Sequence, residues 1–237
     1  MFNTSRNTLP LKVIPRLWTL DNNGSIVYLP PEANNNLVEN IIVNPEVFEI
    51  PAQRNRLVRF AIKLPPEIPD GEYPFQLFFQ PIESDDALAS QAALASGIHP
   101  VLDITPIFAT TVYALKGGPM PQSILSEYTC RYQPQNGTLF THFTLQNTGN
   151  RHTRVTGHIL LQQKNADGQL TLAQVFNVQK ETIMLVFPNQ TRIFEEGFTL
   201  PETLKALPVG EYTLDLDLVD ERGLQPALSS SCHFSVN

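Results

Sequence analysis

Two cysteines, one tryptophan and three methionines occur in 237 residues. So few cysteines exclude a dense disulfide framework and a Cys-rich metal centre, and a chain of this length can bury a core without either. Charged residues are sparse and the net charge is −7, which argues against a nucleic-acid surface, because phosphate binding needs clustered Lys and Arg. No apolar run approaches the roughly 20 residues that span a bilayer. No basic head followed by an apolar core is found at the N-terminus, so no signal peptide is read in the chain. Long helical periodicity is scarce. Gly-x-Ser-x-Gly elbows, phosphate loops and dinucleotide fingerprints are missing, so the sequence predicts a non-enzymatic protein without a cofactor. What the chain does have is 20 Pro and 12 Gly punctuating short β-prone runs.

One stretch occurs twice. Pro51-Ala-Gln-Arg-Asn-Arg-Leu-Val-Arg-Phe-Ala-Ile-Lys-Leu-Pro65 is followed by Asp70-Gly-Glu-Tyr-Pro-Phe-Gln-Leu-Phe-Phe79. Pro188-Asn-Gln-Thr-Arg-Ile-Phe-Glu-Glu-Gly-Phe-Thr-Leu-Pro201 is followed by Pro208-Val-Gly-Glu-Tyr-Thr-Leu-Asp-Leu-Asp-Leu218. The tyrosines, Tyr73 and Tyr212, lie 139 positions apart, too far for a solenoid unit and suited to two copies of one domain. Each copy reads turn, strand, Leu-Pro, turn, Gly-Glu-Tyr, strand. That order suits strand E, the E–F corner and strand F of an immunoglobulin-like sandwich, whose corner Tyr bonds back to upstream backbone. The expected fold is all-β: two tandem immunoglobulin-like β-sandwiches, residues 1–118 and 124–237, with a linker at 119–123. Strand candidates in the first number about six or seven and begin where strand B or C belongs, so its initial strands are expected to be missing.

Along the chain, Met1–Thr8 is polar and turn-like. Leu11, Val13 and Leu17–Leu20 predict a strand broken by Pro15, and Asp21-Asn-Asn-Gly24 predicts a hairpin turn. Arg56–Leu64 alternates in part, with Leu57, Phe60, Ile62 and Leu64 apolar. Phe75–Phe79 reads as a central strand. Ser84–Gly97 is either a short helix or a loop between strands F and G. Val101–Leu115 predicts a long strand containing Pro106, which belongs at a sheet edge or a bulge. Eight further strands follow to Val236, separated by turns such as Asn136-Gly137 and Asp167-Gly168.

His142, His152 and His158 either meet as a metal site or stand as solvated strand and loop histidines; no metal is expected. Asp85-Asp86 and Glu195-Glu196 are neighbours that face opposite ways on a strand, and so form no dyad. Trp18 reads as a core residue. Cys130 and Cys232 alternate with inward apolar residues on the first and last strands of the second domain. They are either disulfide-bonded, which suits an oxidising compartment, or two buried thiols.

Asn44-Pro45-x-x-Phe48-x-Ile50-x-Ala52-x-Arg54, then Leu57-Val-Arg-Phe60 and Gly71-Glu-Tyr73, resembles the N-terminal domain of PapD-like periplasmic pilus chaperones. Leu145-x-Asn147-x-Gly149-Asn150 suits the domain behind it. The resemblance implies a periplasmic chaperone whose strand G adds to an incomplete pilus or surface subunit. Leu102, Ile104 and Phe108 fall on one face of that strand by period two, either as subunit-binding side chains or as ordinary core packing. Two family features have no match: the basic residue of strand A has no counterpart, and the cleft lysine of strand G aligns with Val112. The rival reading is an immunoglobulin-like interaction or adhesion module without chaperoning. An incomplete first sandwich also offers an exposed edge for self-association.

Overall fold

The computed structural model describes residues 1–30, 37–82, 106–178, 184–204 and 206–237. The predicted segment Ser84–Gly97, the pair Asp85-Asp86, and Leu102 and Ile104 lie outside the described residues. The chain divides into two compact units. One comprises Met1–Thr19, Tyr28–Pro69 and Tyr73–Ala114, the other Leu20–Val27, Asp70–Glu72 and Leu115–Asn237. Among the described residues no helix is long and apolar enough to cross a membrane.

The first unit is built on β1 (Leu9–Leu20), β2 (Ile26–Tyr28), β3 (Ile41–Asn44), β4 (Val47–Ile50), β5 (Arg59–Ile62), β6 (Gly71–Pro81) and β7 (Phe108–Lys116). Its larger sheet runs β2-β1-β6-β7, with β4 also on β1; β3 and β5 form a separate two-stranded sheet. Strand β6 is central, as its apolar run predicts: Phe75 and Leu77 are buried with Leu11, Val13, Leu17 and Ile50. Trp18 is buried, its ring 6.4 Å from that of Tyr113. At the corner before β6, Tyr73 Oη donates to the carbonyl of Pro69 at 2.5 Å.

Three readings of this unit need correction. Strand β1 is continuous through Pro15 rather than broken. Val13 N–H donates to Glu46 O, and Leu17 O accepts from Leu29 N–H. By period two, Pro15 faces the same edge, in the gap between the β4 and β2 partners, where no N–H is called for. Pro106 is not inside a strand, because β7 begins at Phe108. The Met1–Thr8 stretch is not only a turn: Phe2 bridges Asn55, and Asn3 N–H donates to Arg54 O at 2.9 Å.

The second unit contains β8 (Ser123–Gln133), β9 (Thr138–Asn147), β10 (Thr153–Lys164), β11 (Leu170–Val178), β12 (Met184–Val186), β13 (Gln190–Thr199), β14 (Gly210–Asp220) and β15 (Leu228–Val236). One sheet runs β13-β9-β8, the other β11-β10-β14-β15 with β12 on β10. Alternation sets the core: Tyr212, Leu214, Leu216 and Leu218 of β14 face Phe143 and Leu145 of β9 in one buried cluster. Phe143 stacks on Phe194 at 5.2 Å and Tyr212 on Phe234 at 5.3 Å. Tyr212 Oη donates to Pro208 O at 2.8 Å. Cys130 of β8 and Cys232 of β15 are disulfide-bonded, with Cα atoms 6.0 Å apart, so the bond joins strands of the two different sheets. Buried Asn147 closes the β9 end. Its Nδ2 donates to Arg151 O and Val186 O, and its Oδ1 accepts from Gly149 N–H and Gln122 N–H.

Candidate functional site: the β7 edge and its groove

Strand β7 ends its sheet, so its outer backbone edge has no neighbour among the described residues. It is held from the other side. Ala114 is buried, Val112 packs on the core, and Gln76 Nε2 on β6 donates to Thr111 Oγ1 at 3.2 Å. Its first half is not covered. Phe108 is 56% exposed, and Ile107 before it is exposed too. Pro106 explains the strand's late start: it has no N–H for a ladder, and its ring limits the residue before it.

Beside the start of β7 lies a largely apolar groove of about 690 Å³. Phe108, Phe2, Leu9, Ile50 and Phe79 line it. Its far wall is the Met1–Ser5 segment, which buried Asn3 clamps in place: Asn3 Nδ2 donates to Ile50 O and Asn7 O, both at 2.8 Å, and its Oδ1 accepts from Ser5 N–H. Sequence reading missed this wall. A polar stretch with one Phe has no periodicity to mark it, and Ile50, the distant partner of Asn3, is 47 residues away.

The three candidate histidines do not converge. His142 on β9 meets Glu195 of β13 at 3.3 Å, and His158 on β10 meets Asp217 of β14 at 3.7 Å. His152 corrects the solvated reading: it is buried, and its Nδ1 lies 2.5 Å from Glu72 Oε1. Each carboxylate is far off in sequence, so spacing did not reveal it. Among the described residues no group of three or more metal-ligating side chains is present. His152 Nε2 faces Arg222 Nη1 at 3.1 Å, and Arg222 also reaches buried Asp220 at 3.6 Å.

Burial raises the pKa of Asp220, but the N–H groups of Arg222 and Leu224 and the Arg222 guanidinium outweigh it, holding the carboxyl below its usual value. A folded pKa below the unfolded one gives stability that is complete above roughly pH 4 and is lost as pH falls through the depressed value. Asp220→Asn should therefore destabilise the protein by about 1–3 kcal/mol at pH 7. The gap to the parent should narrow at pH 3, as read from urea midpoints at both pH values.

The fold is that of a class: two immunoglobulin-like sandwiches in tandem, the first with a terminal strand that has no outer neighbour among the described residues. Over 98% of its length the chain matches a chain of the chaperone–tip adhesin complex of CFA/I fimbriae biogenesis, of which it covers 88%, at a TM-score of 0.50 and 14% identity. It is also similar to the class 5 fimbriae chaperone CfaA, over 98% of this chain and 89% of that one, with TM-score 0.47 and 13% identity. A third similar structure is the CsuC–CsuE chaperone–tip adhesion subunit complex from the archaic Csu pili of Acinetobacter baumannii, with 98% and 88% covered, TM-score 0.46 and 13% identity. The likeness shows the fold alone, two immunoglobulin-like sandwiches in one chain. No family model and no curated protein matches it.

Proposed function

We propose that this protein is a non-enzymatic chaperone-like protein of the periplasm that binds a pilus or surface-protein subunit by strand addition along β7. The observation that carries the reading is the β7 edge, which has no neighbour among the described residues, with exposed Phe108 beside an apolar groove. Strand addition takes its affinity from backbone hydrogen bonds and its register from alternate side chains, so no catalytic residue is needed. Leu102, Ile104 and Phe108 are the side chains assigned to the subunit. The Cys130–Cys232 bond supports an oxidising compartment, and the chaperone-type fold supports the kind of partner.

The test uses a purified fimbrial subunit whose own sheet lacks a strand, co-refolded with this protein and captured on it. Capture is expected, and Phe108→Glu should weaken it by roughly 30-fold or more, as for loss of an apolar hot spot. Phe108 is exposed, so the variant should melt like the parent. Leu102→Glu and Ile104→Glu should act in the same direction. Absence of capture, or capture indifferent to all three changes, overturns the reading and leaves an immunoglobulin-like interaction module.

A further inference from the structure

Two Asn-Gly pairs occur in the chain, Asn23-Gly24 between β1 and β2 and Asn136-Gly137 between β8 and β9. Such a pair suits a hairpin turn and is also chemically labile. Glycine has no side chain to keep its backbone nitrogen off the Asn amide one residue before it. In a folded protein the reaction proceeds only where that nitrogen is free to lose its proton and to swing onto the side chain. A hydrogen-bonded N–H must first open.

The two pairs differ in this respect. Gly24 N–H donates to Asp21 O at 3.0 Å. The side chain of Asp21 fixes the rest of the turn, its Oδ1 accepting from Asn23 N–H at 2.9 Å and from Ser25 N–H at 2.8 Å. The guanidinium of Arg192 lies against Gly24 as well. Around Asn136 nothing comparable is found. Among the described residues Gly137 N–H has no acceptor and the Asn136 side chain has no partner. Asn136 is exposed and lies in the turn Pro134–Gly137. Gly137 is covered, but attacker and target are chain neighbours, so the cover does not part them.

We infer that Asn136 is a site of spontaneous deamidation and isomerisation in the folded protein, and that the other pair, at Asn23, is protected by its turn. Gly137 N loses its proton to solvent base and attacks Asn136 Cγ. The N–Cγ bond forms, the Cγ–Nδ2 bond breaks, and ammonia leaves. Water then opens the cyclic imide at Cγ to give Asp, or at the main-chain carbonyl carbon to give isoaspartate. No oxidant or reductant takes part. Either product adds a negative charge, and isoaspartate also adds a methylene to the backbone of the turn. The lengthened turn bears on β13, because Gly137 O accepts from Leu200 N–H at 2.9 Å. The site lies in the second unit and does not depend on the reading of β7.

The test incubates the full chain, folded, in mildly alkaline buffer made with heavy-oxygen water. Digestion and mass spectrometry then follow the acid formed at each asparagine, which carries one heavy oxygen. Asn136 should convert at least about tenfold faster than Asn23, whose hydrogen bonds must open first. In urea with reductant the two should convert at similar rates. Asn136→Gln should remove the product at that position, because the larger ring forms far more slowly. Asp21→Ala should speed Asn23 by about fivefold or more, as loss of the side-chain bonds that hold its turn allows. Equal rates at the two asparagines of the folded protein, a faster rate at Asn23, or an Asn136 that stays intact while the unfolded chain reacts overturns the inference. So does a lag at Asn23 that persists in urea, since the fold would then not be its cause.

Discussion

Removing the Cys130–Cys232 bond by Cys130→Ala with Cys232→Ala should lower the unfolding free energy by roughly 4–5 kcal/mol. The bond closes a loop across 102 positions, and a cross-link of that span removes about 4.7 kcal/mol of chain entropy from the unfolded ensemble. It also joins β8 and β15, which belong to different sheets and share no backbone ladder. With two cysteines in the chain, no other disulfide can link the two layers of the second unit. A loss of this size is a large fraction of the total stability of a domain. Urea unfolding with and without reductant is the measurement. The parent should lose stability when reduced, down to the level of the variant, whereas the variant should not respond. A parent indifferent to reductant would mean that the bond constrains nothing in the unfolded chain.

Gly157→Ala should be the most damaging single methyl in the second unit, at about 3 kcal/mol or more. Gly157 lies on β10, opposite Leu218 of β14, in the central pair of the larger sheet. A Cβ there would stand 1.9 Å from the carbonyl oxygen of Asp217 and 3.0 Å from the Cα of Leu218. Both are backbone atoms, so no side chain can turn aside to make room. The strands must part, and the ladder that carries Ile159, Leu161, Leu214 and Leu216 into the core parts with them. Gly118→Ala is the control: nothing lies within 4 Å of a Cβ at that position, and the variant should unfold like the parent. Equal midpoints for the two variants would show that the β10–β14 pair relaxes freely around the added methyl.

Much of the fold was legible because its determinants are local. Strand alternation, Asn-Gly and Asp-Gly turns and the repeated Gly-Glu-Tyr stretch each act over a few residues, and they lead to the observed strands. Leu170–Val178, for instance, is β11 from end to end. The misreadings have one cause, which is that proline and polar residues were judged without their neighbours. Pro15 breaks a strand only where an N–H is called for, and whether it is called for depends on β2 and β4. His152 reads as a loop histidine until Glu72 is found against it, 80 positions away.

The sequence by itself determined that this protein is all-β, that it is built from two related units, and that Phe75–Phe79 forms a central strand. Those properties follow from short-range patterns of side-chain polarity and turn chemistry. Only the tertiary structure decided which strands end their sheets among the described residues. Strand β7 is no more or less strand-like in sequence than β10. What distinguishes it is that one side has no hydrogen-bonded neighbour among the described residues, a property of sheet order and not of composition. The groove beside Phe108 arises in the same way, because Phe2, Leu9, Ile50 and Phe79 come together only when distant segments of the chain pair.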